Sequence, residues 1–238
     1  MINLRLHEWL AGQLVLPGLE VTVQKQIEYK PIYLASELSD EAKEVVAEKY
    51  RQWNVNYDGW WDGVEEGFKE DMKEYSLEVD KIYFSGFWSQ GDGACFECSV
   101  DDRQVFFNKM IKDKLPDSVQ MRLMYNPQLE DLFTNNLSFG TRHSGHYYHS
   151  GCMDFTFEMD TYYHPEDWGD ETGEEYDMLT QEEFNDIEDA ICSFFREKAD
   201  DLYSTLSREY DALCETECIC ESLDANDYLF YADGSEEA

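Results

Sequence analysis

The chain has 238 residues, with 53 Asp and Glu against 18 Lys and Arg, so its formal net charge at pH 7 is −35. Such a polyanion repels the phosphates of DNA, RNA and anionic lipid, so we expect no direct binding to nucleic acid or to a membrane surface. Aromatic residues make up 15% of the sequence, which predicts a folded protein, because disordered acidic chains are poor in them.

The sequence shows no segment that would direct the chain to a membrane or out of the cell. No apolar run approaches the ~20 residues of a membrane-spanning helix, and residues 1–18 lack the basic and apolar segments of a signal peptide. We therefore predict a cytoplasmic protein whose seven cysteines are reduced thiols. The closely spaced Cys95 and Cys98 fall on opposite faces of a predicted strand, and this favours buried thiols over a zinc site.

The N-terminal part is predicted to contain two short strands and then two helices. The strands are Leu19–Val23 and Pro31–Leu34. Ser39 is predicted to cap a helix over 40–53, because an acidic first turn and apolar residues at helical spacing follow it. A second helix follows, in which the apolar residues step by four: Trp60, Val64, Phe68 and Met72.

The next part of the sequence has the pattern of antiparallel strands. Val79–Phe87 and a strand through Val100 flank a glycine-bearing turn at 89–93, which is typical of a hairpin. Residues 102–114 favour a helix that Pro116 ends.

A second hairpin is predicted after 119–135, a stretch whose pattern is ambiguous. Leu137–His143 and His146–His149 supply its two strands, on either side of a turn at Ser144-Gly145. Residues 153–159 then alternate apolar with polar or acidic side chains, which predicts a half-buried strand with an anionic outer face.

The C-terminal part is predicted to be helical and acidic. After an acidic loop at 164–178, Thr180 and Glu183 form a capping box. An apolar stripe at helical spacing then continues nearly to Cys220, either as one helix or as two helices that meet near 199–201.

Together these elements predict an α+β fold, with an antiparallel sheet of four to six strands, two N-terminal helices, and a long acidic C-terminal helix or helix pair. We expect an α+β domain over 1–163, the acidic loop over 164–178, and a helical region over 179–238 that packs on the same core. Residues 228–231 are expected to fold back before an acidic end.

One cluster has the residue types of a metal site. His143, His146, His149 and Cys152 recur at every third position, and imidazole and thiolate are ligands that zinc prefers. Residues three apart on a strand alternate faces, so structural roles are favoured. The sequence has no P-loop, Rossmann glycine fingerprint, nucleophile elbow or H-E-x-x-H motif. We therefore predict no cofactor and no catalysis.

The negative charge is concentrated in the C-terminal third. Residues 158–238 hold 27 acids and three bases, a net charge of 3 − 27 = −24. On a helix, carboxylates three or four residues apart lie ~5–6 Å from each other, which is comparable with phosphate spacing. This predicts either a surface that imitates nucleic acid or an unspecialised solvated face. The predicted partner-binding acids are Glu158, Asp160, Asp170, Glu174, Glu175, Glu182, Glu183, Asp186, Asp189, Glu197, Asp200, Asp201, Glu209, Asp211 and Glu215.

A family resemblance adds a biological setting. The segment IYFSGFWSQGDGA at 82–94, the run LSDEAK at 38–43, the pair Trp60-Trp61 and the segment SGHYYH at 144–149 resemble a family of uncharacterised, mostly phage-encoded proteins. Some members carry the label "antitoxin of a toxin–antitoxin system". The resemblance covers roughly residues 28–160 and implies a phage setting, without catalytic residues to carry over.

Three hypotheses follow. The first is a phage-encoded inhibitor, a monomer or homodimer in the host cytoplasm, whose acidic surface occupies the nucleic-acid-binding cleft of a basic host protein, as in anti-restriction, anti-CRISPR or other anti-defence proteins. The second is an antitoxin-like protein that binds a toxin through aromatic contacts, for which Phe87 and Trp88 are candidate hot spots. The third is a metal-dependent enzyme that uses His143, His146 and His149.

Overall fold

The computed structural model describes residues 30–115, 117–125, 137–159 and 181–237. Within these ranges the chain forms six α-helices and a four-stranded antiparallel sheet, so the predicted α+β class is confirmed. The helices are α1 (Asp40–Tyr50), α2 (Asp62–Lys73), α3 (Arg103–Lys114), α4 (Asp117–Tyr125), α5 (Gln181–Leu213) and α6 (Thr216–Ala225). The strands are β1 (Leu77–Phe84), β2 (Ala94–Val100), β3 (Leu137–His143) and β4 (Met153–Met159).

The described residues group into two compact units. The first contains the residues up to Trp60 and those from Tyr210 onward, and the second runs from Trp61 to Glu209 and holds the sheet. The predicted strand Leu19–Val23 and the predicted acidic loop at 164–178 lie outside the described residues. Among the described helices, none combines the length and apolar character needed to cross a membrane.

The sheet has the strand order β1-β2-β3-β4, and each neighbouring pair is antiparallel. β1 and β2 form the hairpin that the glycine-bearing turn predicts, with Phe84 opposite Ala94. The alternating segment 153–159 is β4, as predicted. β1 and β4 are therefore the two edge strands of this sheet.

The predicted strand at His146–His149 is wrong, because β3 pairs with β4 along its whole length. Gly145 has a φ of +97°, which a residue with a Cβ rarely adopts. The Ser144 N–H donates to the carbonyl of Cys152 across 2.8 Å and closes the connection between the strands. Residues 144–152 are therefore a compact loop that ends in a short 3₁₀ turn.

The core of the second unit joins one face of α5 to α2, α3 and the sheet. Phe195 lies at its centre, with its ring 6.0 Å from Phe106 and 6.1 Å from Phe96. The buried residues of α5 recur at helical spacing and include Ile187, Ile191, Phe194, Phe195, Leu202 and Leu206.

α5 is one helix of 33 residues, about 50 Å long at 1.5 Å per residue. The sequence left open a break into two helices near 199–201, and the helix has no break there. Ala199 and Leu202 are buried and continue its apolar stripe. The helix instead ends at Leu213, whose carbonyl accepts a hydrogen bond of 3.0 Å from the side-chain amide of Asn54. α6 begins three residues later.

The first unit packs α1 against α6 and the C-terminal residues. Ser39 caps α1 as predicted, since its hydroxyl accepts the N–H of Ala42 at 3.3 Å. The chain also folds back as predicted, because Phe230 is bridged to Tyr33.

Candidate functional site

The outward face of α5 carries a row of carboxylates. Glu182, Asp186, Asp189 and Asp200 are all exposed, and with 3.6 residues per turn they lie within about 60° of arc around the helix. The buried residues Ile191 and Leu202 occupy the opposite side. We call these four residues the acidic face of α5. These four residues are the part of the predicted acidic surface that lies along one side of a helix in the second unit.

Other predicted acids on α5 are paired with bases. Glu183 is bound to Arg122 of α4 in an ion pair with two hydrogen bonds. Glu197 contacts Lys114 at 2.6 Å, and the Asp201 carboxylate lies 3.8 Å from Lys198. Within the described part of the chain, the four residues of the acidic face form no ion pair.

The remaining predicted acids are not part of this face. Glu209 is exposed but lies half a turn around the helix from Asp200. Asp211 and Glu215 belong to the first unit, and Glu158 is placed on β4 by its pairing with Ser138. The last four lie outside the described residues: Asp160, Asp170, Glu174 and Glu175.

The charge density of α5 is lower than that of a duplex. Residues 181–209 carry nine acids and three bases, so 3 − 9 = −6. Over about 43 Å this is about one net charge per 7 Å, whereas duplex DNA carries one per ~1.7 Å. The helix therefore shares the sign of its charge with nucleic acid, and it does not reproduce the phosphate spacing of a duplex.

A second surface is formed where two loops meet at one end of the sheet. The first is the β1–β2 tip, residues 85–93, and the second is the β3–β4 loop, residues 144–152. A Cβ added at Gly91 would lie 2.9 Å from the Tyr147 ring, and one added at Gly93 would lie 2.5 Å from the backbone of His149. Only glycine permits this approach, so the two loops form one packed structure.

Asp92 holds the β1–β2 tip in its conformation. Its carboxylate accepts the N–H groups of Trp88 at 3.0 Å and of Ser89 at 2.6 Å. The Ser85 N–H donates to the Gly93 carbonyl at the base of the tip, across 3.0 Å. Gly86 packs against the Asp92 carboxylate, which an added Cβ would approach to 3.3 Å.

The two rings proposed as hot spots have different environments. Phe87 is half-buried and stacks on Tyr203 of α5, with ring centroids 5.5 Å apart. Trp88 is 74% exposed, and Tyr147 of the neighbouring loop is 54% exposed. The surface available to a partner is therefore made by Trp88 and Tyr147, and Phe87 serves to attach the tip to α5.

His146, His149 and Cys152 lie in the β3–β4 loop, whereas His143 is the last residue of β3. The hydrogen bonds of His143 and His149 go to different partners. Nε2 of His149 lies 3.5 Å from the Cys152 sulfur, while Nδ1 of His149 accepts the Gly151 N–H at 3.0 Å. In its neutral form this imidazole carries its proton on Nε2, so it cannot accept the thiol proton there. His143 instead contacts the Tyr147 carbonyl through Nε2, at 3.0 Å. Among the described residues, no three His, Cys, Asp or Glu side chains are placed to hold a metal ion.

The predicted buried thiols of β2 are confirmed as buried. Burial raises the pKa of the Cys98 thiol to about 12, against hydrogen bonds from Thr141 that lower it. Burial also raises the pKa of Cys95 to about 12, with smaller contributions from Cys152 and Glu97. Both thiols are therefore protonated at neutral pH, as suits their positions in the core.

An open cavity of about 580 Å³ lies beside the start of β1. It is lined by Lys69 and Lys73 and also by Glu78 and Asp101. Charges of both signs surround it, so the cavity has no clear preference for an anion or a cation.

The chain matches one family model. A domain of unknown function, DUF8835, matches residues 60–216, which is more than half of the chain. The chain belongs to this family. The match contains the acidic face of α5 and both loops of the second surface. No curated protein and no solved structure matches the chain.

The roles of Asp92 and Tyr147 are not among those predicted from the sequence. The signal for Asp92 was present, since two glycines flank it in a turn that has to be compact. No local signal indicates that Tyr147 covers Gly91, because the two residues meet only after the sheet has formed.

Proposed function

We propose that this protein is a non-catalytic inhibitor that binds a basic nucleic-acid-binding protein through the acidic face of α5. The observation that carries the proposal is the arrangement of four exposed carboxylates on one side of a helix whose other side is buried. These exposed carboxylates outnumber the one exposed cation on the same side of the helix, Arg196. They attract a cleft lined with Lys and Arg and accelerate the encounter with it.

The charge density of α5 determines which property of nucleic acid the protein imitates. Because α5 carries a much lower charge density than a duplex, the protein competes as a polyanion and does not copy base-pair geometry. Because the helix backbone fixes the positions of these carboxylates, the backbone loses little conformational freedom on binding.

The proposed setting is the cytoplasm of a phage-infected bacterium, with a host restriction, CRISPR or other defence protein as the target. This part of the proposal comes from the resemblance of segment 82–94 to phage-encoded proteins. The family match is to a domain of unknown function.

The test compares two variants of the full chain with equal charge changes. In the first, Asp186, Asp189 and Asp200 are replaced by Asn. In the matched control, Glu66→Gln, Asp71→Asn and Glu78→Gln neutralise three exposed acids on α2 and β1. Each protein is used to capture partners from a bacterial lysate at low salt, and the captured protein is then assayed for binding to labelled DNA and RNA.

The wild type and the control variant are expected to retain a basic protein, to block its nucleic-acid binding and to release it when salt or free nucleic acid is added. The Asp186/Asp189/Asp200 variant is expected to do none of these. Equal behaviour of the two variants, or a captured protein that still binds nucleic acid freely, contradicts the proposal.

A second candidate is an antitoxin-like protein that neutralises a toxin by shape. The exposure of Trp88 and Tyr147 on a rigid surface favours it, since exposed aromatic residues are frequent binding hot spots. Under this alternative, Trp88→Ala abolishes capture and the acidic-face variant retains it.

A further inference from the structure

Trp88 is an exposed ring on a rigid loop. Its backbone N–H is bound by Asp92, and the loop is held by Gly91 and Gly93 against the β3–β4 loop. Most of the indole nevertheless faces water. Folding gains little from an apolar ring held in this way, whereas a binding partner gains a large contact surface that needs no further ordering.

The β1–β2 tip is attached to α5 beside its acidic face. The Tyr203 hydroxyl donates to the Gly86 carbonyl at 3.0 Å, and the Tyr203 ring stacks on Phe87. Tyr203 lies three residues after Asp200, so the two side chains are neighbours on the helix surface. The β1–β2 tip is therefore attached to α5 next to Asp200, the last residue of the acidic face.

We propose that the indole of Trp88 binds an arginine side chain of the basic partner by a cation–π contact, on the side of the tip where Asp200 of the acidic face lies. This inference rests on the proposed function, because it specifies how the same partner is recognised. The acidic face supplies long-range attraction that does not distinguish arginine from lysine. The indole of Trp88 supplies the distinction.

The chemistry of the surface favours arginine as the occupant. A guanidinium stacks on an indole face more readily than an ammonium does, since it is planar and less strongly hydrated. The net charge of −35 favours a cation over a nucleobase, which would bring a phosphate with it.

The test titrates the full chain with hexa-arginine, hexalysine and hexaserine peptides. Affinity is measured by calorimetry, and binding at the tip is followed by the indole N–H resonance of Trp88, assigned with Trp88→Phe. The variants are Trp88→Ala, Trp88→Phe and the Asp186/Asp189/Asp200 variant. Tyr125→Ala is the matched control, because Tyr125 is an aromatic residue of α4 that is 80% exposed.

We expect hexa-arginine to bind more tightly than hexalysine and to shift the Trp88 resonance. Trp88→Ala should weaken hexa-arginine binding about two- to fivefold, leave hexalysine binding nearly unchanged, and keep the wild-type circular dichroism. Trp88→Phe should retain part of the preference, and Tyr125→Ala all of it.

The two proposals fail in different ways. Equal affinity for the two cationic peptides, unaffected by Trp88→Ala, overturns the cation–π inference and leaves the acidic-face proposal standing. Unchanged binding of both peptides to the Asp186/Asp189/Asp200 variant overturns the proposed function instead. If hexaserine binds as tightly as hexa-arginine, the tip does not need a cationic ligand, and the cation–π inference is also overturned.

Discussion

The hydroxyl of Tyr203 on α5 donates a hydrogen bond to the carbonyl of Gly86 in the β1–β2 tip, across 3.0 Å. Burial raises the pKa of Tyr203, and the nearby Asp92 raises it further, so the hydroxyl remains a donor at neutral pH. Together with the stacking of Tyr203 on Phe87, this contact connects the helix that carries the acids with the loop that carries the exposed indole.

Tyr203→Phe is therefore expected to weaken this connection. The variant keeps the stacking on Phe87 and loses the hydrogen bond, so the free energy of unfolding should fall by about 1 kcal/mol. Urea unfolding followed by circular dichroism measures the change. Tyr125→Phe, which removes a hydroxyl from an exposed ring, is the control and should be neutral; equal stability of both variants would show that the hydrogen bond contributes nothing.

Two glycine-to-alanine changes should have opposite effects on stability. Gly93→Ala places a Cβ 2.5 Å from the backbone of His149, so the two loops must separate, at a cost of about 1–3 kcal/mol. Gly67→Ala in α2 meets no atom within 4 Å and should stabilise the helix by about 0.5–1 kcal/mol. Thermal unfolding of both variants checks this, and a Gly93→Ala protein as stable as the wild type contradicts the close approach of the loops.

The cysteines should differ in their rates of alkylation. The thiolate is the reactive form, and because burial raises the pKa of Cys95 and Cys98 to about 12, these two should resist iodoacetamide at pH 8 in the folded protein. The half-buried Cys152, Cys214 and Cys218 should react first. Peptide mapping by mass spectrometry measures the order, and the same reaction in urea, where all seven should be labelled, is the control.

The same pKa shifts give a pH dependence of stability. The Cys95 and Cys98 thiols ionise near pH 9 when unfolded and near pH 12 when folded. Their contribution to the free energy of unfolding is therefore complete below pH 9 and is lost as the pH rises toward 12. In Cys98→Ala the free energy of unfolding should decline less steeply over this pH range, as measured by urea unfolding at several pH values. If it declines as steeply as in the wild type, groups other than Cys98 cause the decline.

Salt should stabilise the folded protein. A net charge of −35 destabilises the compact state by self-repulsion, and added ions screen this repulsion. The melting temperature should therefore rise with sodium chloride, and should rise less in the Asp186/Asp189/Asp200 variant. A melting temperature that is constant or falls with salt would mean that ion pairs such as Lys114–Glu197 outweigh the repulsion.

Local signals in the sequence predicted the elements well where one pattern dominated. The alternation over 153–159 identified β4, and Ser39 before an acidic turn identified the start of α1. The prediction of a strand at His146–His149 is wrong because four polar and aromatic residues after a turn also fit the pattern of a strand. The pattern contains nothing about the hydrogen bond from Ser144 to Cys152 that closes the loop.

The composition of the candidate site was predictable, and its arrangement was not. The acids of α5 were evident from charge alone, but the pairing of Glu183 with Arg122 depends on how α4 packs. The contact of Tyr147 with Gly91 joins residues that are far apart in sequence. Both relationships are tertiary, so a search of local patterns cannot recover them.

The two sides of α5 have a practical consequence for engineering. Since positions 182, 186, 189 and 200 face away from the buried side chains of this helix, they can be rewritten without disturbing the interior. A library that randomises positions 182, 186, 189 and 200 would therefore sample new specificities on an unchanged scaffold.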